Sequence, residues 1–213
     1  MANLTSVLPE IQLLVPEAPR VLLLDYLRFA AITFCERSTF WRADISMNTV
    51  ADQASYDETD FTVPTDSVLS CVYDGTYDGS TKLRVMTPGQ VDRTMGTDWE
   101  SESGTPYYVL RTDAANTIQL APYPTAVKAV VLPAAWKPTL TATTIADDVY
   151  NEYHEALAWG AVARLCGMPR KAWSDPNYAK MYADLYNSAI EEAKRRVENA
   201  YAKPKRQMSY GGI

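Results

Sequence analysis

The sequence predicts an α+β fold in which a helical frame, an N-terminal helix plus a C-terminal antiparallel helix pair, carries an inserted antiparallel β domain. Three observations point there. Arg20 to Ser38 contains neither Gly nor Pro, and Leu24, Leu27, Ala31, Phe34 and Ser38 recur at three- and four-residue steps. Two longer stretches with the same period follow residue 146, divided by Gly167 and Pro169. Between these helical regions, roughly residues 40 to 140, the β-favouring runs are short and bounded by turn residues. The expected divisions are a helical segment over 1–42, a β-rich insert over 43–146, the helix pair over 147–201 and a flexible docking tail over 202–213.

Taken in order, Thr5 to Val15 is apolar but interrupted by Pro9, which allows a turn or two of helix. Pro19 suits the first turn of the helix that begins at Arg20, where its missing N–H costs nothing. Strands are expected at Ala43 to Met47, Asp60 to Val63, Val68 to Tyr73, Lys82 to Met86, Pro106 to Arg111, Thr117 to Leu120 and Ala126 to Pro133. Tyr73-Asp74-Gly75-Thr76 and Tyr77-Asp78-Gly79-Ser80 read as tandem turns at a hairpin tip. A calcium loop would need DxDxDG spacing and a distal glutamate, which are absent. Pro88 to Met95 reads as a short helix weakened by Gly89, and Glu100 to Gly104 as a solvated loop.

In the helix pair, Asp147 and Asp148 complement the dipole of the first helix at its start. Its inner face is expected at Val149, Tyr153, Leu157, Gly160, Ala161 and Arg164 or Leu165, with Gly167 and Pro169 as the stop. Asp175 and Pro176 read as N-cap and first residue of the last helix, which runs to about Ala200. Its inner stripe is expected at Tyr178, Met181, Tyr182, Leu185, Ala189, Ala193, Val197 and Ala200. The short link makes the pair antiparallel, and Ala156, Gly160 and Ala161 are small enough for close approach.

Composition limits the chemistry. The 213 residues carry one histidine, His154, and three scattered cysteines, Cys35, Cys71 and Cys166. No disulfide framework, CxxC site or usual zinc ligand set can be built from them, so no metal or cofactor is expected. His154 lies in a polar helical stretch, where a solvated or capping role competes with catalysis. No GxGxxG, P-loop or GxSxG motif occurs, and adjacent carboxylates such as Asp57-Glu58 and Glu191-Glu192 read as solvated surface, with a glycosidase-like pair left open. The enzyme expectation is therefore negative. No apolar run approaches the roughly 20 residues of a membrane span, and Met1-Ala2-Asn3-Leu4 lacks a signal-peptide pattern, so a reducing cytoplasm is the expected compartment of synthesis.

Net charge is −6, and the deficit belongs to residues 43–146, which hold thirteen acidic and six basic groups. A sequence-reading DNA-binding domain would show the opposite sign. A local positive cluster, Lys203, Lys205 and Arg206, sits with Tyr210 in a Pro- and Gly-containing tail, readable as a free end or as a docking peptide.

Phe29-Ala30-Ala31-Ile32-Thr33-Phe34-Cys35-Glu36-Arg37-Ser38-Thr39-Phe40-Trp41-Arg42 resembles the A-A-x-x-F-C-E-R-S-x-x-W-R helix end of small adaptor proteins of tailed bacteriophages. Ala156 to Leu165 followed by Met168 to Pro176 is similar to their A-x-x-x-G-A-x-x-R-L and M-P-x-x-x-W-S-D-P segments. The order of zones also resembles the tail-tubular type of head-to-tail connector. The resemblance implies a structural virion protein without enzymatic activity, forming a ring, twelvefold, that joins the capsid portal protein above to a tail tube or nozzle protein below. It further implies double-stranded DNA passing through the ring without sequence recognition, and no membrane partner. Candidate docking residues for the portal or a neighbouring subunit are Lys203, Lys205, Arg206 and Tyr210. Glu36, Arg37, Phe40 and Trp41 are candidates for an inter-subunit contact, against the alternative of an intramolecular salt bridge over the edge of the core. A carbohydrate- or receptor-binding virion module on a helical anchor is the competing reading, since fourteen tyrosines and five tryptophans would suit sugar stacking.

Overall fold

A computed structural model describes residues 1–112 and 114–199. Five α-helices and twelve short strands follow one another in the expected mixed order: β1 Ala2–Asn3, α1 Leu8–Leu14, α2 Arg20–Ser38, β2 Arg42–Asn48, β3 Ser55–Tyr56, β4 Ser67–Val72, β5 Gly75–Tyr77 and β6 Thr81–Val85. Next come α3 Pro88–Met95, β7 Ser103–Gly104, β8 Tyr108–Arg111, β9 Ile118–Ala121, β10 Tyr123–Pro124, β11 Ala129–Pro138, β12 Thr144–Ile145, α4 Asp147–Cys166 and α5 Pro176–Glu198. The fold is α+β, as the sequence predicts. No helix among the described residues is long and apolar enough to cross a membrane.

The helical signals act where they stand in the sequence. Pro9 occupies the first turn of α1 instead of breaking it, and a 3-10 turn, Leu4–Val7, leads in. Thr39 ends α2 in the left-handed region, φ 51°, with its N–H bonded to the carbonyl of Cys35. Thr87 and Gln90 form a capping box on α3, which offsets the weakness of Gly89. The Asp175 carboxylate accepts from the N–H groups of Asn177 and Tyr178 at 2.9 and 3.1 Å, with Pro176 next to it.

An eight-stranded sheet runs in the order β2-β11-β5-β6-β8-β9-β3, with β4 also paired to β11. The ten-residue β11 is its spine. It pairs antiparallel with β2 along Ala129 to Ala135, with β5 at Val130 and Val131, and with β4 from Ala134 onward, across a bulge between Ala135 and Trp136. The expected strand at Ala126 to Pro133 is therefore displaced toward the C-terminus. Pro133, the last residue of the expected strand, lies inside the observed one and supplies its carbonyl to the Tyr73 N–H at 2.9 Å. Two further expectations are corrected. Asp60 to Val63 is not a strand: the Asp60 carboxylate accepts from the Asp57 N–H and the Gln53 amide, fixing a turn that buries Phe61. Of the tandem Asp-Gly signals, only Asp78-Gly79 turns the β5–β6 hairpin, with φ values of 54° and 68°. Gly75 is instead a strand residue whose absent side chain lets β5 lie against β11, since a Cβ there would sit 2.2 Å from the Val131 oxygen.

One hydrophobic core runs without interruption through α1, α2, α4, α5, β2, β4 and β11. Trp136, fully buried, joins helices to sheet and donates its indole N–H to the Ala43 carbonyl at 2.9 Å. A small second core gathers Val91, Trp99, Leu110 and Ala121 around α3, β8 and β9. The helix pair is antiparallel: Arg196 of α5 pairs with Glu152, Tyr186 lies against Gly160, and Ala179 lies near Gly167. The face of α5 differs from expectation by about one residue. Ala193 and Val197 are buried as expected, and Tyr182 and Ala189 pack against the core, but Tyr186 and Ile190 are buried in place of Tyr178, Met181 and Leu185, which are exposed; Ala200 lies outside the described residues. The helix carries two apolar stripes, and Gly160 selects the one whose Tyr186 ring it can accept.

Candidate assembly surfaces

The end of α2 shows where local backbone geometry places the residues of the first candidate contact. The left-handed Thr39 and the hydroxyl of Ser38, which accepts from the Phe40 N–H at 3.2 Å, turn the chain sharply inward. Phe40 and Trp41 are thereby driven into the protomer's own core, at 3% and 5% exposure. Phe40 meets Tyr153 edge-on at 4.9 Å, and Phe34 packs on the same ring. Glu36 and Arg37 stay at the surface with intramolecular partners. Glu36 pairs with Lys137 of β11 at 3.1 Å, while Arg37 donates to Asn187 at 2.7 Å and lies 3.7 Å from Glu191 on α5. Such exposed pairs are worth about 0–1 kcal/mol each, so they orient the helix end without fixing it strongly. The other four candidates, Lys203, Lys205, Arg206 and Tyr210, lie outside the described residues.

The carboxylates of the 43–146 segment have local duties that the sequence alone did not assign. Asp66, at φ 58°, accepts from the backbone and hydroxyl groups of both Thr143 and Thr144 through one oxygen, at 2.9 to 3.0 Å. These bonds hold its carboxyl below the usual range. Asp57 is lowered likewise by the hydroxyl and N–H of Thr59. Asp74 accepts from the Val85 N–H, Asp92 from the Trp99 indole, and Glu58 from the Asn116 amide. Asp78 pairs with Lys128 at 3.0 Å and raises its ammonium pKa. Asp44, Asp52, Asp98, Glu100 and Glu102 are exposed. Among the described residues, the carboxylates of this segment are thus either exposed or engaged in holding its turns and loops.

Burial pushes the Cys35 thiol and the Tyr186 hydroxyl far up, and the latter donates to the Ala30 carbonyl at 2.6 Å. His154 bonds the Tyr150 carbonyl at 3.1 Å, stacks on that ring, and faces Glu10 at 4.0 Å, a surface link between α1 and α4. Among the described residues, no three His, Cys, Asp or Glu side chains converge on one point.

What remains is surface shaped for contact. A groove of about 450 Å³ opens where α1 meets the α4–α5 corner, walled by Leu13, Leu14, Cys166, Trp173, Tyr178 and Tyr182. It continues the exposed stripe of α5, and Leu13 at its rim is 84% exposed. The sequence reading placed that stripe in the core. The signal that distinguishes the two stripes is the spacing of Tyr186, Ile190, Ala193 and Val197 opposite the small residues of α4. A second hollow, of about 740 Å³, lies on the sheet beside Asp74, Lys82 and Arg84. Of the five tryptophans, Trp41, Trp99 and Trp136 are buried and Trp159 and Trp173 half-buried.

The sequence profile of the SU10 adaptor protein family matches residues 2–208, which is nearly the whole chain. No curated protein matches it. A frame whose charged and aromatic groups serve packing, with its distinctive features on contact surfaces, agrees with that match. The chain belongs to the SU10 adaptor protein family and is a structural adaptor of the phage virion.

Proposed function

We propose that copies of this chain form a ring, twelvefold, that joins the capsid portal to the tail tube or nozzle and surrounds the DNA channel. The observation that carries the reading is the family match over residues 2–208, which spans helical frame and β segment together. In this ring the segment 43–146 acts as a unit directed toward the channel, and its outward carboxylates repel phosphate so that duplex DNA slides without being gripped. Frame residues 1–42 and 147–201 carry the lateral contacts, and Glu36 and Arg37 are the members of the candidate quartet able to exchange partners with a neighbour. Phe40 and Trp41 support that contact from within. The tail 202–213 docks through Lys203, Lys205, Arg206 and Tyr210 on the portal or an adjacent subunit. Native mass spectrometry of the chain, alone and with the portal protein, tests the reading: a closed oligomer of twelve is expected, and a monomer under both conditions would overturn it.

A further inference from the structure

Four of the six basic groups in residues 43–146 have local roles. Lys128 pairs with Asp78 at 3.0 Å, Lys137 pairs with Glu36 at 3.1 Å, Arg111 donates to the Ser70 carbonyl, and Arg93 complements the dipole at the last turn of α3. Lys82 and Arg84 have no such role: among the described residues, neither side chain has an ion-pair or hydrogen-bond partner. Alternation along β6 buries Leu83 between them and turns both cations onto the same open face. The ladder sets Lys82 opposite Thr76 and Thr76 opposite Val131, and with Pro133 these residues floor the hollow of about 740 Å³.

The same segment displays a group of opposite sign that is equally unpartnered. Asp98, Glu100 and Glu102 are exposed on one short loop, and among the described residues none of their carboxylates accepts a hydrogen bond or joins an ion pair. The comparable run Asp57-Glu58-Thr59-Asp60 is fully engaged, by Thr59, the Asn116 amide and the Asp57 N–H. Glu152 and Glu191 are likewise paired with arginines. The 98–102 loop is pinned to its own protomer. Trp99 is buried and donates its indole N–H to Asp92 at 2.6 Å, the Tyr123 hydroxyl donates to the Ser101 carbonyl at 2.7 Å, and the Tyr123 N–H to the Glu102 carbonyl at 3.1 Å. Within one copy, both charge groups are therefore held, and held beyond ion-pair distance of each other.

Sheet order separates them. The hollow spans β11, β5 and β6, whereas the loop packs beside β8 and β9 through Trp99. Opposite charges on two different patches suit head-to-tail association of copies, in which each copy offers one patch forward and the other back. Asp74 on the rim of the hollow and the net acidity of the segment disfavour a polyphosphate there. We infer that the hollow at Lys82 and Arg84 receives the Asp98–Glu102 loop of a neighbouring copy, the two cations meeting its carboxylates above Val131 and Pro133. The inference rests on the ring proposed above and adds a joint between β segments to the contacts of the frame. Because the loop brings one carboxylate more than the hollow has cations, each joint stays acidic toward passing phosphate.

Zero-length crosslinking of the unaltered chain reads the contact directly. A carbodiimide joins an amine to a carboxylate only where the two touch. Rings assembled from equal amounts of light and nitrogen-15-labelled copies are expected to give Lys82 linked to Asp98, Glu100 or Glu102 between light and heavy copies. Charge reversal then tests what the contact contributes. Lys82→Glu with Arg84→Glu in one chain, and Glu100→Lys with Glu102→Lys in another, should each raise the concentration needed for ring formation about tenfold. An equimolar mixture of the two should restore it, because each altered patch faces its match when the copies alternate. All four side chains are exposed, so both variants should keep the Tm of the unaltered chain. Unchanged assembly of either variant, no link or only links between like-labelled copies, or a mixture that does not recover overturns the inference and leaves the ring standing. Loss of duplex DNA binding by the Lys82→Glu, Arg84→Glu chain with assembly unchanged gives the cations to phosphate and overturns it too. Absence of a ring from the unaltered chain, with and without portal, overturns both this joint and the ring.

Discussion

Gly160 is the point where three helices of the frame touch, and replacing it by alanine tests the packing directly. A Cβ at this position would lie 2.8 and 2.9 Å from ring carbons of Tyr186 and 3.0 Å from the Cβ of Ala30. The ring cannot swing aside freely, because its hydroxyl is bonded to the Ala30 carbonyl at 2.6 Å and the side chain is 6% exposed. Helix propensity alone favours alanine over glycine by about 1 kcal/mol. Overpacking costs about 1–3 kcal/mol, and displacing the Tyr186 hydroxyl would leave that buried hydroxyl unpaired for about 1–3 kcal/mol more. Gly160→Ala is therefore expected to destabilise by about 1–5 kcal/mol, lowering Tm by about 2–20 °C in differential scanning calorimetry for a chain of this length. Gly89→Ala in α3, where nothing lies within 4 Å, is the matched comparison and should leave Tm unchanged or raise it. An unchanged or raised Tm for Gly160→Ala would refute the three-helix contact.

Asp66→Ala removes the acceptor of two backbone N–H groups and two hydroxyls and is expected to cost about 1–3 kcal/mol in urea unfolding, with Asp66→Asn intermediate. Because the folded carboxyl lies below its unfolded value of about 3.9, its contribution is full above that pH and fades as pH falls through the folded pKa. The wild-type chain should thus lose stability more steeply than Asp66→Asn below about pH 4, and parallel acid profiles would contradict this. A thiol reagent should label the partly exposed Cys71 in the native protein and reach the fully buried Cys35 only after denaturation; early labelling of Cys35 would deny the core its arrangement. The chain should show no salt-sensitive affinity for duplex DNA, whereas replacing Asp98, Glu100 and Glu102 with lysine should create one, read as a shift in gel mobility that weakens with salt. Tight binding by the unaltered protein would contradict the sliding surface.

The helical frame was legible in the sequence because its signals are local: Pro19 and Arg20 open α2, Asp175 and Pro176 open α5, and Gly167 follows α4. The β segment was legible only in part. Its alternation is brief, and its register depends on β11, whose pairing with β2 lies more than eighty positions away in sequence. Pro133 and Gly75 carry punctuation signals that a distant strand overrides, and Asp60 carries a turn signal hidden in a β-favouring run. The contact residues were the hardest to read. Periodicity cannot say whether an apolar stripe is buried by its own chain or left for another, so Phe40 and Trp41 looked available while Tyr178, Met181 and Leu185 looked spent. Composition likewise gave the sum of the acidic segment but not that Asp66, Asp74 and Asp92 are engaged in holding turns.

The most direct measurement of the central claim is electron microscopy of this chain bound to its portal protein, at a resolution that separates helices from sheet. The account predicts a twelvefold ring with the acidic β segment lining the channel and α1, α2, α4 and α5 forming the outer frame. A ring with the sheet turned outward and the helices around the lumen, or a chain that never assembles on the portal, would contradict it.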